Sequence, residues 1–287
     1  MSRIVYVNGR YAPYAQAAVH VEDRGFQFAD AVYEVCQVVG GRLVDEARHM
    51  ARLERSLSEL AIPQPMSAKS LAHVMREVIR RNRVRDGVVY LQVSRGAGPR
   101  DFSFPPPDVE RTVVCLARSV SRAGQEALAQ TGIAVKTIPD IRWGRCDIKT
   151  VMLLPACLAK EAAHHEGARE AWLVDADGLV TEGASSNAWI VSAEGAVITR
   201  PTSTDILPGV TRATLLDVLA QEKVPLLQRA FTVGEALRAR EAFVTSASNT
   251  VMPVVRIDAQ LVGDGKPGAL TLHLRSKFQQ FAEISGA

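Results

Sequence analysis

Aromatic side chains are scarce in this 287-residue chain: eight Phe, five Tyr and three Trp make up 6% of it. Cysteine is scarcer, four in all, and lysine numbers only seven. No apolar run approaches the roughly 20 residues that a membrane-spanning helix needs, so no membrane partner is expected. The cysteines, Cys36, Cys115, Cys146 and Cys157, form neither a C-x-x-C pair nor the ligand spacing of a zinc site. They read as reduced, packed thiols, and no metal is expected. An excess of one charge is lacking too. Against 34 Lys and Arg stand 31 Asp and Glu, and the resulting +3 is scattered rather than gathered into a basic stripe, which argues against a nucleic-acid partner. The start, Met1-Ser2-Arg3-Ile4-Val5-Tyr6, enters strand-like sequence at once, without the charged start, apolar stretch and small-residue cleavage site of a signal peptide. A cytoplasmic address is expected.

What is present is apolar bulk, 47% of the residues, enough to bury a real core. At roughly 150 residues per domain, the length fits about two packed domains or one large one. Strands and helices alternate along the chain. Residues 4–7 and 10–12 flank Asn8-Gly9, a dipeptide that supplies the positive φ angles of a tight hairpin turn, and 32–39 and 42–44 flank Gly40-Gly41 in the same way. Met50, Leu53, Leu57 and Leu60 recur at helical spacing, as do Leu71, Val74, Met75, Val78 and Ile79, while 88–93 and 112–117 read as buried strands. Residues 1–118 thus form an N-terminal α/β domain. The Ala-, Ser- and Gln-rich stretch 119–130 is expected to be a connector, and 131–287 a second domain. In that second domain, 134–138, 171–174, 179–181, 188–191, 196–199 and 242–245 read as strands. Residues 150–164 and the segment from Thr211 read as helices, His164-His165 standing where a helix C-terminus favours positive charge, and Thr232 with Glu235 forms a capping box.

Three segments carry chemical promise. In Leu207-Pro208-Gly209-Val210-Thr211-Arg212 a turn leads straight into an amphipathic helix, whose outward N–H groups and Thr211 hydroxyl make an anion seat. Taken alone, a Pro-Gly before a helix is more often a plain turn with a capping threonine. Lys149 lies in Arg145-Cys146-Asp147-Ile148-Lys149-Thr150, next to the apolar run 151–154 that would help to desolvate it, and a neutral amine can attack an aldehyde. A surface lysine at a helix start fits the same segment. Glu182 stands among small residues in Thr181-Glu182-Gly183-Ala184-Ser185-Ser186-Asn187, where a carboxylate can closely approach a ring nitrogen and hold it protonated, unless it is a turn residue facing water.

Together with Glu22-Asp23-Arg24-Gly25-Phe26-Gln27-Phe28-Ala29-Asp30-Ala31-Val32-Tyr33-Glu34-Val35, His49-Met50-Ala51-Arg52-Leu53 and Ser94-Arg95-Gly96-Ala97-Gly98-Pro99-Arg100, these segments are six ordered matches over essentially the whole length. In them the chain resembles the class IV (fold type IV) pyridoxal-phosphate aminotransferases, and the Arg-Cys-Asp-Ile-Lys run is typical of the branch that acts on D-amino acids. The resemblance implies a two-domain α/β (α+β) fold with pyridoxal 5′-phosphate between the domains. Lys149 would be the Schiff-base lysine, carrying a proton between substrate Cα and cofactor C4′, and Glu182 the partner of the pyridine nitrogen. Arg52, Val210 and Thr211 would hold the phosphate, with Ser246 and the Ala247 backbone beside them, and Ser185 and Leu207 complete the cofactor set. Tyr33, Tyr90 and Arg100 would bind the substrate carboxylate, whose two oxygens an arginine's planar fork matches.

By the same resemblance the reaction moves an amino group from a D-amino acid to a 2-oxo acid, 2-oxoglutarate or pyruvate, and the assembly is a homodimer. Two departures bear on the substrate. Phe102 stands where that branch has a histidine and cannot donate a hydrogen bond, and Ala247 replaces a threonine, leaving only a backbone N–H. A weakened carboxylate trap could widen the range toward (R)-amines. A branched-chain amino-acid aminotransferase, an aminodeoxychorismate lyase of the same fold, and a non-catalytic cofactor carrier are the other readings.

Overall fold

Asn8 and Gly9 adopt φ angles of +43° and +86°, and the turn they make joins β1 (Ile4–Val7) to β2 (Arg10–Pro13) as an antiparallel hairpin. In the computed structural model, which describes residues 3–282, the chain divides into two compact units. The first runs to Arg122 and also takes in Ile148–Met152. After the hairpin come α1 (Arg24–Phe28), β3 (Ala31–Val39), β4 (Arg42–Leu43), α2 (Glu46–Glu59), α3 (Ala68–Arg81), β5 (Gly87–Ser94) and β6 (Thr112–Ser119). The six strands form one antiparallel sheet in the order β2-β1-β6-β5-β3-β4. Val32, Glu34, Cys36 and Val38 of β3 are buried while the intervening side chains are half-buried, the period-two pattern of a strand with one face toward a core. On that core lie α2 and α3, the latter through Leu71, Val74, Met75, Val78 and Ile79.

The second unit comprises Ala123–Asp147 and Leu153–Ala282. Its elements are α4 (Arg122–Thr131), β7 (Ile133–Pro139), α5 (Leu154–His165), β8 (Glu170–Val174), β9 (Val180–Gly183), β10 (Asn187–Val191), β11 (Val197–Thr199), α6 (Val210–Gln221), β12 (Leu226–Gln228), α7 (Val233–Leu237), β13 (Glu241–Ser246), β14 (Thr250–Ile257), β15 (Gln260–Leu261) and α8 (Ala269–Phe281). Its mixed sheet runs β12-β11-β10-β13-β14-β7-β8-β9, with β15 paired to β14. Both faces are covered, so successive residues of one strand serve different cores. Ala188 and Ile190 of β10 pack with Val244 and Met252 in one cluster, whereas Trp189 and Val191 pack with Phe243 and with Leu215, Val218, Leu274 and Phe278 of α6 and α8 in the other.

Most expected elements are in place, and the exceptions have local causes. Residues 119–130, expected as a connector, hold the end of β6 and helix α4, since their Ala and Gln favour helix and Ala129 finds burial. The helix expected from residue 150 begins at Leu154, because the preceding residues add to the edge of β3: Tyr33 N–H donates to Lys149 C=O at 3.0 Å and Val151 N–H to Ala31 C=O at 3.1 Å. Thr232 caps α7 as expected, its hydroxyl accepting from Glu235 N–H, but the Glu235 carboxylate turns to Arg229 rather than completing the box. Cys36 and Cys115 are buried as expected, whereas Cys157 is exposed. Among the described residues no helix is long and apolar enough to cross a membrane.

Candidate active site

In the first unit the candidate residues gather on and beside β3. Because residues 148–152 run along that strand's edge, the half-buried Lys149 brings its Nζ to 4.1 Å from the centroid of the Tyr33 ring, where an amine meets a π face. The apolar run expected to cover Lys149 does not do so: Met152, Leu153 and Leu154 are exposed, carried outward by the start of α5. Tyr33 in turn stacks on Tyr90 with centroids 5.5 Å apart, and the Tyr90 hydroxyl donates to Gln92 Oε1 at 2.6 Å. Burial raises the Tyr90 pKa, with the Tyr33 phenol adding to it, so Tyr90 stays a neutral donor.

Beneath Tyr33 lies a triad of polar groups, Glu34, His49 and Arg52, to which the sequence assigned no joint role. Glu34 points into the core, fully buried, and accepts from Arg52 Nε and Nη2 at 2.8 Å each and meets His49 Nδ1 at 2.7 Å. Burial alone would raise the Glu34 pKa. The paired guanidinium and the histidine outweigh it and bring the carboxyl down to about 2. Burial likewise works against the Arg52 cation, and Glu34 more than restores it. Arg52 is therefore fixed in plane and charge by a carboxylate one strand away. The signal was in the sequence, a carboxylate at an inward strand register facing a His and an Arg three apart on one helix.

Arg100 lies farther along, exposed in the loop after β5, its guanidinium 5.2 Å from the Phe28 ring and 5.9 Å from that of Phe102. Phe102, where the resemblance leads one to expect a histidine, is 83% exposed and offers the loop only an apolar face.

In the second unit Glu182 is not a turn residue facing water. It stands in β9, only 4% exposed, and its carboxylate is gripped from three directions: Arg142 Nη1 at 2.5 Å, Asn187 Nδ2 at 2.9 Å and Leu207 N–H at 3.2 Å. Arg142 is itself held by Asp140, which also accepts from the Thr181 hydroxyl. Although burial disfavours the cation, these two carboxylates raise the Arg142 pKa well past its ordinary value. Neither Arg142 nor Asn187 was singled out by sequence reasoning, although both stand within quoted or adjoining segments.

Asn187 also donates to Leu207 C=O at 2.9 Å, tying β10 to the loop that enters α6. That helix starts at Val210 and Thr211, both buried, after Gly209, whose missing side chain leaves the first turn without a side-chain cap. A Cβ at Gly209 would run into Asn187 Oδ1. The Asn187 pairing partner in β13 is Thr245, so Ser246 follows at the end of the neighbouring strand, its hydroxyl accepting from Asn249 N–H at 3.2 Å and lying 3.3 Å from that of Ser248. Ala247 lies in the turn between them. Ser185 is the exception in this set, its hydroxyl turned to Glu170 at 2.6 Å. Cys146 donates to Trp143 C=O, and burial pushes its thiol up to about 11, so it is no nucleophile.

The donor set suits pyridoxal 5′-phosphate. The first unit offers an amine, the complement of an aldehyde; the second, taken by itself, offers a buried anion aimed by three donors and a helix N-terminus left open by a glycine, the complements of a protonated ring nitrogen and a phosphate. The sequence model of the amino-transferase class IV family matches residues 31–257. D-alanine aminotransferase of Staphylococcus haemolyticus is 38% identical over 279 residues, 97% of this chain and 98% of that protein. The D-alanine aminotransferase of Bacillus licheniformis is 38% identical over 275 residues, 96% of this chain and 95% of its own. Among solved structures, Escherichia coli branched-chain amino acid aminotransferase matches with a TM-score of 0.88 at 23% identity, covering 98% of this chain and 95% of that one, a likeness of fold. A hypothetical aminotransferase from Mycobacterium tuberculosis in a PLP-bound form matches with a TM-score of 0.83 at 20% identity, covering 96% and 97%. The chain belongs to the class IV aminotransferases, enzymes that work with pyridoxal 5′-phosphate.

Proposed function

We propose that this protein transfers the amino group of a D-amino acid, D-alanine foremost, to a 2-oxo acid such as 2-oxoglutarate. The observation that carries the reading is Glu182, a carboxylate 4% exposed and pinned by Arg142, Asn187 and the Leu207 backbone. The substrate class is supported by the relatives named above as D-alanine aminotransferases. When bound, pyridoxal 5′-phosphate supplies an aldehyde that takes up amino groups and a ring that draws electrons from the substrate's Cα. Lys149 Nζ takes the proton from that Cα and later returns it, Tyr33 holding the amine in place. Glu182 keeps a proton on the ring nitrogen. Arg52, the first N–H groups of α6 at Val210 and Thr211, the Ser246 hydroxyl and the Ala247 N–H bind the phosphate. Leu207 acts through its backbone on Glu182, and Ser185, engaged with Glu170, contributes only its main chain. Arg100 and Tyr33, backed by Tyr90, receive the substrate carboxylate.

A homodimer is part of the same proposal, supported by Phe26, Phe102 and Phe104, which stand 63–83% exposed on the first unit of a chain otherwise poor in aromatics. So is a cytoplasmic address, in keeping with four unpaired cysteines.

Holoenzyme given D-alanine and 2-oxoglutarate is expected to yield pyruvate and glutamate, with Lys149→Ala lowering kcat at least about a thousandfold. Turnover of L-alanine but not D-alanine would overturn the reading, as would pyruvate released from aminodeoxychorismate with no amino acceptor present.

A further inference from the structure

We infer that Arg24 is a positioning residue for substrate binding, fixing the 99–104 loop so that Arg100 meets a carboxylate. The inference rests on the reading of Arg100 as the carboxylate-binding residue. Arg24 opens α1 and is only 4% exposed. Its Nε donates to Asp30 Oδ2 at 2.8 Å, while Nη1 reaches across to the loop and donates to Asp101 C=O at 2.7 Å and Ser103 C=O at 3.3 Å. The flat guanidinium lies 4.6 Å from the Phe28 ring and 5.8 Å from that of Phe104. Phe28 is also the ring on which Arg100 rests, and Phe102 packs against it with centroids 5.7 Å apart. One buried arginine therefore grips the backbone on the C-terminal side of Arg100 and touches the aromatic platform beneath it.

Regular secondary structure does not order the loop. Between Gly98 and Arg111 there is neither helix nor strand; at the tip Asp101 accepts from Ser103 N–H at 2.8 Å, from the Ser103 side chain and from Phe102 N–H, and farther on Arg95 lies 3.7 Å from the Phe104 ring centroid. Arg24 is itself immobilised, because Asp30 also accepts two bonds from Arg95, whose remaining donors hold Leu60 C=O and Ala61 C=O. A carboxylate, two carbonyls and an aromatic face can be served together by a planar fork of five N–H groups and not by an ammonium. The need is greater here because Phe102 donates nothing to a carboxylate, so the alignment of Arg100 carries more of the grip. Arg24 has no role in proton transfer, so it sets how tightly carboxylates bind and leaves the rate at saturation alone.

The test compares the Arg24→Met, Arg24→Lys and Arg100→Ala holoenzymes with D-alanine as donor and propionate, a carboxylate without an amine, as competitor. Arg24→Met is expected to raise KM for D-alanine and the propionate inhibition constant together by about tenfold, the effect of losing one charge-assisted bond, with kcat within about twofold of the parent. Arg24→Lys, which keeps the Asp30 pair but cannot span both carbonyls, should recover part of the loss. Unchanged KM and inhibition constant in Arg24→Met, while Arg100→Ala raises both, would overturn the role of Arg24 and leave the proposed function standing. Unchanged constants in Arg100→Ala would overturn both. Should Arg24→Met fail to fold, Arg24→Lys decides: a raised KM supports the role, and parental values sink it.

Discussion

Glu34 is the residue on which the first unit's charge balance turns. It sits on the inward register of β3 among Val32, Cys36 and Val38, a place where a carboxylate is costly unless paired. Arg52 and His49 pair it so well that its pKa falls from 4.5 to about 2. A depressed carboxyl stabilises the fold fully above its unfolded value, and that contribution drains away as pH falls from about 4.5 toward 2, in all about 3 kcal/mol. Glu34→Gln keeps the shape but leaves the buried Arg52 guanidinium without its anion. We expect it to cost about 3–5 kcal/mol at neutral pH and to flatten the acid limb of Tm between pH 4.5 and 2, both read by thermal melts across that range. An unchanged acid limb in the variant would mean that other carboxylates govern acid unfolding. The sequence held Arg52 as a phosphate ligand and left Glu34 and His49 without roles. Register tells that a carboxylate is buried, but not which cation the fold will bring to it. For Lys149 and Glu182 the residue type was informative and the surroundings were not: the lysine's neighbour is a tyrosine ring from β3, over a hundred residues away in sequence, rather than the adjacent apolar run.

At the scale of elements, α6 joins local sequence to chemistry. Its first turn lacks a side-chain cap because Gly209 precedes it, and Gly209 is required by Asn187, which crowds the space a Cβ would take. Asn187 in turn bonds both Glu182 and Leu207 C=O. Gly209→Ala must therefore push Asn187 away, loosening the carboxylate and the entry to the helix at once. Two displaced hydrogen bonds at about 1 kcal/mol each predict a weakening of pyridoxal 5′-phosphate affinity by about thirtyfold, measurable by titrating the apoprotein and following cofactor absorbance. An affinity within a factor of two of the parent would show that the glycine serves only the turn. Elements of this kind were legible from sequence, since Pro-Gly before an amphipathic run and Asn-Gly between alternating runs are local signals. What local signals could not place was α4, whose polarity hid its helix propensity, and the start of α5, delayed because residues 148–152 are drawn to the edge of a strand laid down far earlier.

For the whole molecule the informative feature is how its few phenylalanines are spent. Of eight in the chain, Phe231, Phe243 and Phe278 fill the cores of the second unit, while Phe26, Phe102 and Phe104 are left on the surface of the first at 75%, 83% and 63% exposure. Scattered single apolar residues on a surface need no explanation, but three phenylalanines in two neighbouring segments, interleaved with Arg24, Arg95 and Arg100, have the composition of an interface core. A second copy of the chain is the occupant the proposed function calls for. On a free surface, Phe26→Asp would change stability by no more than about 0.5 kcal/mol, whereas at the centre of an interface it would bury an unpaired charge. We therefore expect the parent protein to sediment as a dimer at micromolar concentration and Phe26→Asp to shift it toward monomer with little change in far-ultraviolet circular dichroism. A variant that remains as dimeric as the parent would place Phe26 outside any contact between copies and leave its exposure to be explained by the loop it borders.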